Sequence, residues 1–579
     1  MAITTSRVAP GAAVELIELL LVDIATGAVS TLPAAGPDDH TATWSPDGTR
    51  VAFISARRGA SQVVVARPDD AAPRMVTSLA GAASGPVGWS PDGARLVLEA
   101  TRGRGIDHDS PYRVTRAVQW ADGIGALDDP PQLVAVDSGT GVAHLLTDDE
   151  WRWSLPRWSP DGRTVAARAS HDPSGRRRGM HVRLVDTVTG RITEPDVPAG
   201  FATVPIWLAD GRLVVLSVQP EGRPFGAQAQ LHLVGLDGTV QPLHDRAPFA
   251  LGGDVYADNA SVLCVEYESA IVAATADGAQ RLFVRHHDGG RMGISRVTIP
   301  LGDQPGPDDW TIVIDGPRAA TPLGVAGGEV EAWLLVPPGA REPLPSVLMI
   351  HGGPNAAFGE AFSLDAQTLC AAGFGVLYAN PRGSTGSGDA FTHAAHGDWG
   401  GAPVEDLLAV LDHGIDLGWI DGDRVGVTGN SYGGYLTAWL ACTTDRFAAA
   451  VAENPVTDLL SMYGTSDIGA TFLPGHLGAT PVDDPSAYLR WSPILHAHRC
   501  TAPMLFVVGG ADRRCPPTQS FELHRALHVH GTPSEVLVLP GEAHEGTTYG
   551  SPAARLAHDD ALVEWMERWL LGRGVPPST

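Results

Sequence analysis

The sequence predicts two structural classes in succession: an all-β region built from a repeated unit, then an α/β region with a mostly parallel, doubly wound sheet. Three observations indicate this. A Trp-Ser-Pro-Asp-Gly motif recurs in the first half of the chain, a Gly-x-Ser-x-Gly motif follows an apolar run in the second half, and further apolar runs come after it. At 579 residues the chain is also too long for one core, so at least two domains are expected.

The repeated motif predicts a β-propeller. Copies begin, in order, at Trp44, Trp89, Trp158 and, in degenerate form, Trp207. A weaker echo lies at residues 256–259, and the spacings are 45, 69, 49 and 49 residues, of which the longest fits a repeat with an insertion at residues 102–129. A short strand follows each of the first four copies, and Asp-Gly between two strands is a hairpin signal. Such a repeat is typical of propeller blades, and length favours seven of them.

The domain boundary is expected where Gly, Pro and Asp cluster, at residues 302–318. This places the propeller domain at residues 14–310 and the catalytic domain at residues 311–579. Within the propeller we expect the repeated tryptophans to pack between blades and the Asp-Gly pairs to form turns. Neither feature is expected to take part in catalysis.

The Gly-x-Ser-x-Gly motif at residues 429–433 is the most informative functional signal. Residues 424–428 before it form a short apolar run, and residues 436–442 after it favour a helix. Strand, motif and helix in this order are the context of a nucleophile elbow in the α/β-hydrolase fold, where a tight turn presents the serine to a base. We therefore predict Ser431 as the nucleophile. The alternative is a glycine-rich turn that holds an ordinary serine.

The partners of the serine are expected at the ends of later strands, first the acid and then the histidine. The apolar run at residues 503–508 is followed by Asp512, and the run at residues 535–539 is followed by His544. We predict that His544 takes the proton of Ser431 and that Asp512 orients the imidazole.

Competing candidates exist for both partners. Asp458 and Asp467 also follow the nucleophile, but neither directly ends an apolar strand. The chain contains 21 histidines, so His544 is distinguished by its position after the last predicted strand. A helix at residues 557–571 is expected to close the fold.

A second glycine-rich segment predicts the oxyanion hole. The apolar run at residues 346–350 is followed by His-Gly-Gly-Pro at residues 351–354, as expected after an early strand of this fold. The backbone N–H groups of Gly353 and Tyr432 are the predicted donors to the oxyanion. His351 itself is interpreted as structural.

Charge and composition exclude several functions. With 66 acidic and 40 basic residues the formal charge is −26, which disfavours nucleic acid and anionic membranes as partners. All basic residues other than histidine are arginine, so a Schiff-base or serine–lysine mechanism is excluded. The five cysteines contain no Cys-x-x-Cys pair and predict neither a disulfide scaffold nor a zinc site. No segment suggests a cofactor or a metal site.

The same features favour a cytoplasmic protein. Few cysteines, odd in number, indicate a reducing compartment. The most apolar N-terminal stretch, residues 14–25, contains three acidic residues and follows no basic region, so neither a signal peptide nor a membrane span is expected.

With these motifs in hand, the chain resembles the prolyl oligopeptidase family, and within it the acylaminoacyl-peptidase-like branch. The resemblance covers nearly the whole chain and is carried in the second half by four motifs together, at residues 351–354, 380–386, 397–401 and 431–435. It implies that Arg514, two residues after the predicted acid, binds a substrate carbonyl or carboxylate, although a surface ion pair is the alternative. It also implies a propeller that covers the site and admits only short peptides.

Two departures from the family limit what carries over. The long N-terminal helical extension of some members is not expected here, so their oligomeric arrangement is not transferred, and a homo-oligomer stays open. No Glu-Glu motif of the dipeptidyl-peptidase IV branch is found in the propeller, which disfavours removal of dipeptides from a free N-terminus.

The leading hypothesis is a serine peptidase that hydrolyses short or N-blocked peptides through an acyl-enzyme. Its S1 pocket is expected near residues 454–468, with Tyr463 and Leu473 as candidates for the wall. An alternative is a hydrolase of a small-molecule ester or amide, such as a peptide-like natural product, with the same triad. A non-enzymatic propeller scaffold is the third possibility, against which the complete set of catalytic residues argues.

Overall fold

The computed structural model describes most of residues 2–573. The residues that it does not describe in this range are 9–14, 38, 58, 71–72, 108, 115–116, 119, 172–178, 221–226, 228, 245–249, 252–269, 275–279, 289–290, 300–309, 315–320, 326–327, 342 and 361. The weak repeat at residues 256–259 and most of the predicted boundary segment lie outside the described residues.

The N-terminal region is a series of antiparallel sheets. The first three contain β1 (Ala2–Val8), β2 (Glu15–Val22) and β3 (Val29–Thr31); β4 (His40–Trp44), β5 (Val51–Ser55), β6 (Gln62–Ala66) and β7 (Arg74–Met75); and β8 (Ala83–Trp89), β9 (Arg95–Ala100), β12 (Gln132–Asp137) and β13 (Ala143–Leu145). A separate hairpin of β10 (Trp120–Ala121) and β11 (Gly125–Ala126) lies between β9 and β12 in the chain, within the predicted insertion.

The later N-terminal strands continue this pattern. They are β14 (Arg152–Trp158), β15 (Thr164–Ser170), β16 (Met180–Asp186), β17 (Ile192–Thr193), β18 (Gly200–Trp207), β19 (Leu213–Pro220), β20 (Gln230–Val234) and β21 (Val240–His244), then β22 (Ala250–Leu251), β23 (Ala270–Ala274), β24 (Gln280–Asp288), β25 (Arg291–Ile299) and β26 (Trp310–Ile314). A single residue pair, Met180 with Gly200, joins β14–β17 to β18–β21, so this sheet consists of two four-stranded units.

The repeated motif forms a turn and a contact between neighbouring sheets. In the first copy, the Ser45 hydroxyl donates to Asp47 at 2.6 Å and Gly48 takes a φ of 69°, which favours glycine. The indole of each later tryptophan donates to a carbonyl just before the preceding tryptophan: Trp89 to Thr43, Trp158 to Gly88 and Trp207 to Arg157, at 3.2, 3.2 and 2.9 Å. The prediction that these tryptophans pack between repeats is confirmed for these three copies.

The C-terminal region is one eight-stranded sheet flanked by helices. Its strands are β27 (Thr321–Val325), β28 (Gly328–Leu335), β29 (Leu344–Ile350), β30 (Gly375–Asn380), β31 (Ile420–Asn430), β32 (Ala449–Glu453), β33 (Met504–Gly509) and β34 (Ser534–Leu539), in the spatial order β27-β28-β30-β29-β31-β32-β33-β34. The pairs from β30 to β34 are parallel, and β27 and β28 extend the sheet antiparallel. The predicted mostly parallel sheet is confirmed.

Helices cover both faces of this sheet because its strands are apolar on both sides. The helices are α1 (Leu364–Ala371), α2 (Asp389–Thr392), α3 (Ala402–Asp416), α4 (Tyr432–Thr443), α5 (Leu459–Thr465), α6 (Gly469–Leu477), α7 (Pro485–Arg490), α8 (Thr518–His530), α9 (Gly546–Tyr549) and α10 (Pro552–Leu570). One core joins the sheet to α3, α4 and α8, and the other joins it to α1 and α10. Among the described residues no helix is long and apolar enough to cross a membrane.

The observed sheets give the limits of the two regions. The first N-terminal sheet already includes β1 at residues 2–8, before the predicted start of the propeller at residue 14. At the other end β26 pairs with β25, whereas β27 pairs with β28, so the change of sheet falls between residues 314 and 321. The domain boundary at residue 310 stays a prediction. The count of seven blades stays a prediction.

Candidate active site

Ser431 lies in a strained turn between β31 and α4. Its φ of 60° and ψ of −117° are rare for a residue with a side chain, and such strain is typical of a nucleophile elbow. The turn packs tightly against the end of β29, because a Cβ at Gly429 or Gly433 would lie 2.3 or 2.1 Å from the carbonyl oxygen of Ile350. Both glycines of the motif are therefore required by close approach of backbone.

Asp512 and His544 are in direct contact. His544 Nδ1 lies 2.8 Å from Asp512 Oδ2, and both residues are buried, at 3% and 1% exposure. The other oxygen of Asp512 accepts the backbone N–H groups of Arg514 and Cys515, both at 2.8 Å. The two backbone N–H groups hold the carboxylate so that its other oxygen faces Nδ1 of the imidazole. Nε2 is then the ring nitrogen available for proton exchange.

The pKa of His544 is raised above its ordinary value. Burial alone would lower this pKa, but the charge of Asp512 and the hydrogen bond to it outweigh burial. Glu545 raises the pKa further and Arg514 opposes it.

Ser431 is connected to the same loop through Cys515. The Cys515 thiol is buried, which raises its pKa, and the nearby Ser431 side chain opposes this rise. Cys515 follows Asp512 by three residues, so this proximity brings the nucleophile turn near the loop that carries the acid. The structure thus joins His544 to Asp512 directly and places Ser431 near the loop that carries Asp512.

The predicted oxyanion loop begins directly after β29. Gly353 has a φ of 118°, a conformation that favours glycine. His351 is buried, and its two ring nitrogens lie 2.7 Å from the Gly352 carbonyl oxygen and 2.9 Å from the Ser384 hydroxyl. Burial lowers the pKa of His351 to about 4, so the ring is neutral and links two loops, in agreement with a structural role.

Tyr432 is the first residue of α4, and the N–H groups of a first helical turn have no partner within the helix. Its side chain is anchored away from this end, since the phenol donates to the Trp399 carbonyl at 2.7 Å. The fold therefore leaves the Tyr432 N–H at the end of the helix next to Ser431, as an oxyanion donor requires.

Arg514 is held by Asp467. The Arg514 Nε lies 2.9 Å from Asp467 Oδ1, and the two side chains are 31% and 4% exposed. Burial would lower the pKa of Arg514, but the Asp467 carboxylate outweighs it and raises this pKa. Asp467, one of the two competing acids, is thus the partner of the predicted substrate-binding arginine. The other, Asp458, caps α5 by accepting the N–H groups of Leu460 and Ser461.

Comparison with known proteins identifies the region that carries this site. Residues 360–573 match the sequence profile described as the prolyl oligopeptidase family. This region belongs to the prolyl oligopeptidase family. The predicted family is confirmed, and with it the prediction of a serine peptidase.

The relatives of this peptidase include an acylamino-acid-releasing enzyme and an uncharacterized peptidase. It is 34% identical to the pig (Sus scrofa) acylamino-acid-releasing enzyme over 443 residues, which cover 71% of this chain and 58% of that one. It is 27% identical to the uncharacterized peptidase YuxL of Bacillus subtilis over 618 residues, covering 91% and 89% of the two chains. A solved acylaminoacyl peptidase in complex with Z-Gly-Gly-Phe-chloromethyl ketone has a TM-score of 0.81 at 20% identity, covering 99% of this chain and 95% of that one, which shows a shared fold.

The site of this peptidase also contains a residue that sequence reasoning missed. Asn454 is fully buried, and its amide donates to Asn430 Oδ1 at 3.1 Å and to the His544 carbonyl at 2.8 Å. Its amide oxygen accepts the Gly509 N–H at 2.9 Å. Asn454 therefore ties the residue before the nucleophile to the strand before Asp512 and to the histidine. A signal was available, since Asn454 directly follows the apolar strand β32.

Tyr463, the predicted wall of the S1 pocket, lies in α5. Its ring meets that of the buried Tyr488 edge-on, with centroids 6.0 Å apart. Leu473, the other candidate, is fully buried in the same core as Tyr488. Contact of either residue with a substrate stays a prediction.

A buried cluster of charges lies behind the elbow. His558 is fully buried, with Nε2 3.2 Å from Glu453 Oε2 and Nδ1 3.0 and 3.9 Å from carboxylate oxygens of Asp559 and Asp365. The backbone of Glu453 accepts the Ser431 N–H at 2.9 Å, which connects the cluster to the nucleophile turn. Asp365, His558 and Asp559 offer ligand-type atoms within 4.8 Å of one another. A metal ligand must be a neutral imidazole, whereas three carboxylates favour a protonated His558, so we interpret the cluster as ion pairs.

Proposed function

We propose that this peptidase hydrolyses short or N-blocked peptides through an acyl-enzyme formed on Ser431, with His544 as the base and Asp512 as the acid. The observation that carries the proposal is the buried His544–Asp512 pair at 2.8 Å, and the strained elbow of Ser431 supports it. This arrangement orients the imidazole and stabilises the charge that it acquires during the reaction.

The first step forms the acyl-enzyme. His544 Nε2 removes the hydroxyl proton as Ser431 Oγ bonds to the substrate carbonyl carbon, and the carbonyl π electrons move to oxygen. The N–H groups of Gly353 and Tyr432 donate to this oxyanion, each worth about 2.7–4 kcal/mol of transition-state stabilisation. When the oxyanion collapses, the C–N bond breaks and His544 delivers its proton to the departing amine.

The second step repeats this chemistry with water. His544 accepts a water proton as the hydroxide oxygen bonds to the ester carbon of the acyl-enzyme, and the same two N–H groups hold the new oxyanion. Its collapse breaks the bond to Ser431 Oγ, which recovers its proton from His544. The acyl part of the substrate leaves as a carboxylic acid, and the enzyme returns to its starting state.

Substrate selection is proposed to involve Arg514. Its partly exposed guanidinium is fixed by Asp467 directly beside the acid loop, so it offers donors to a substrate carbonyl or carboxylate. An N-blocked peptide carries an amide carbonyl in place of a terminal ammonium, which suits a cationic site. The blocked tripeptide derivative bound by the solved relative and the name of the pig relative support this class of substrate.

A variant of Arg514 tests this role. Replacing Arg514 with methionine is expected to lower kcat/KM on an N-acetylated peptide about 10- to 100-fold, since a hydrogen bond to a charged group is worth about 1.5–3 kcal/mol. The loss is expected mainly in KM, because the arginine binds ground state and transition state alike. Steady-state kinetics give both constants. Arg525→Met on the exposed face of α8 is the matched control, and equal kinetics of the two variants would contradict the assignment.

The raised pKa of His544 predicts the pH profile. The base must be neutral to accept a proton, so kcat/KM is lost as pH falls through the pKa of His544. Because Asp512 raises this pKa over the opposing effects of burial and Arg514, the midpoint of the acid limb is expected above pH ~6.5, the ordinary histidine value. Initial rates at low substrate concentration across buffers of constant ionic strength measure it. A midpoint below the ordinary value would contradict the pairing seen here.

Substrate class is tested with a matched panel. Peptides of graded length are supplied with an acetylated or a free N-terminus, together with p-nitrophenyl esters, and kcat/KM is compared for each. The proposal expects N-acetylated short peptides to be the best substrates and expects activity to fall as peptide length increases. Efficient ester turnover with no cleavage of any peptide would instead favour the small-molecule hydrolase.

The cysteines indicate the cellular compartment of the enzyme. The four described cysteines, Cys370, Cys442, Cys500 and Cys515, are free and buried. Free thiols persist in reducing compartments. We therefore propose a cytoplasmic location.

A further inference from the structure

A hairpin of the N-terminal region reaches the catalytic loops. It consists of β10 and β11 and belongs to the insertion between β9 and β12. Trp120 in β10 lies under the guanidinium of Arg513, with 5.9 Å from the Arg513 Cζ to the ring centroid. Arg513 directly follows the acid Asp512, so the hairpin contacts the loop that carries part of the triad.

Asp122, in the turn of this hairpin, makes three hydrogen bonds to the catalytic region. Its Oδ1 accepts the backbone N–H of Arg513 at 2.7 Å, and its Oδ2 accepts the backbone N–H of His544 at 3.0 Å. Its own backbone N–H donates to Asp467 Oδ2 at 3.0 Å. One carboxylate therefore bridges the acid loop and the histidine loop, and the same residue's backbone holds the partner of Arg514.

The two loops joined by Asp122 follow different strands. Asp512 comes after β33 and His544 after β34, so the sheet fixes their strands but not the ends of the two loops. Within the pair, the 2.8 Å contact between imidazole and carboxylate depends on both loop positions. Asp122 bridges Arg513, which follows the acid, and His544, so it fixes the distance between the two loops. Supporting hydrogen bonds of this kind hold catalytic groups in their working orientation.

We propose that Asp122 is a positioning residue, through which the N-terminal region holds Asp512 and His544 in catalytic register. The inference rests on the function proposed above and adds a role for the N-terminal region beyond limiting substrate size. Asp122 contacts the backbone of the catalytic loops rather than the reacting atoms, so it acts through His544 and Asp512. Docking of the hairpin is then a condition for a competent triad.

The test replaces Asp122 with asparagine in the full-length enzyme. Asparagine has the same shape and keeps the backbone donor to Asp467, but it places an NH2 group against one of the two N–H donors. We expect kcat on an N-acetylated peptide to fall about 10- to 100-fold, as for small misplacements of catalytic groups. KM is expected to change by less than about twofold, because the contact that fixes Asp467 and Arg514 is retained.

The pH profile separates positioning from a general loss of structure. The charged groups facing His544 are Asp512, Glu545, Arg514 and Asp122 itself, whose carboxylate accepts the His544 N–H, so Asp122→Asn also removes one negative charge near His544. A looser His544–Asp512 pair lowers the raised pKa of His544, so the acid limb of kcat/KM in Asp122→Asn is expected to move to lower pH, toward ~6.5. A variant that merely unfolds in part loses amplitude without moving the limb.

The matched control is Asp129→Asn in the same insertion. Asp129 pairs with Arg102 and accepts the N–H of Arg104, so Asp129→Asn removes another carboxylate of the insertion while Asp122 and its hydrogen bonds are retained. We expect its kcat and acid limb to stay close to wild type. Melting temperatures of all variants set an assay temperature at which each is folded.

Three outcomes would overturn the inference: an unchanged kcat in Asp122→Asn, a lowered kcat with an unmoved acid limb, or an equal loss in Asp129→Asn. Failure of the proposed function is distinguishable, because wild type would then show no hydrolysis of the peptide. A fluorophosphonate probe gives a readout that needs no peptide, and its rate of reaction with Ser431 is expected to fall in Asp122→Asn alone.

Discussion

Replacing Ser431 with alanine is expected to lower kcat about a millionfold, close to the limit of detection, while the protein stays folded. The hydroxyl is the group that bonds to the substrate carbonyl, and nothing at position 431 can replace it in the variant. The removal of one oxygen from a side chain at the start of α4 leaves the turn and its glycines in place. Peptide cleavage, followed by mass spectrometry, measures the loss of kcat. Thermal melting shows whether the variant is folded.

The control for this variant is Ser486→Ala, on the exposed surface of α7. Its activity is expected to equal that of wild type, which would show that the loss of a serine hydroxyl elsewhere in the catalytic region leaves the enzyme intact. A fluorophosphonate probe is expected to label wild type and Ser486→Ala at Ser431 and to leave Ser431→Ala unlabelled. Retention of most peptide cleavage in Ser431→Ala would contradict both the nucleophile and the proposed acyl-enzyme.

The sequence predicted the central parts of this site because a parallel sheet brings the carboxyl ends of its strands to one edge. Each apolar run before a predicted catalytic residue is a strand: β31 before Ser431, β33 before Asp512 and β34 before His544. Because Asp512 and His544 follow neighbouring strands of this sheet, they are expected to lie close to each other. The observed 2.8 Å contact agrees with that expectation.

The surrounding contacts could not be predicted in this way. Asp122 lies 391 residues from Arg513 and 422 residues from His544, and no local pattern relates a hairpin turn to loops so distant in the chain. The position of Asp467 after the nucleophile is also compatible with a catalytic acid, and only its contact with Arg514 gives it a different role. These residues depend on how two regions pack, whereas strands and turns depend on neighbouring residues.

Replacing His558 with glutamine is expected to cause the largest loss of stability among these changes. Glutamine approximates the size of histidine but cannot carry charge, so the carboxylates of Glu453, Asp365 and Asp559 would lose the cation that His558 provides. Loss of one partner from a buried ion pair costs about 3–5 kcal/mol, because the remaining charge stays buried and unpaired. Urea unfolding followed by fluorescence is expected to show a lowered midpoint for the transition of the catalytic region.

The pH dependence of this loss identifies its cause. Burial would lower the pKa of His558, but Glu453, Asp365 and Asp559 outweigh burial and raise it well above the ordinary value. A group whose pKa is raised by folding contributes stability that is complete below its unfolded pKa, ~6.5, and is lost as pH rises through the folded pKa. The difference between wild type and His558→Gln is therefore expected to be greatest near pH ~6 and to shrink toward alkaline pH.

A control on the surface separates this effect from the loss of any histidine. His413 is exposed on α3, and His413→Gln is expected to change stability by less than about 0.5 kcal/mol at every pH. If His558→Gln instead lowered stability equally at all pH values, the imidazole would contribute by packing and not by charge. Because the Glu453 carbonyl accepts the Ser431 N–H, an ionic contribution also means that the charge of His558 supports the turn that presents the nucleophile.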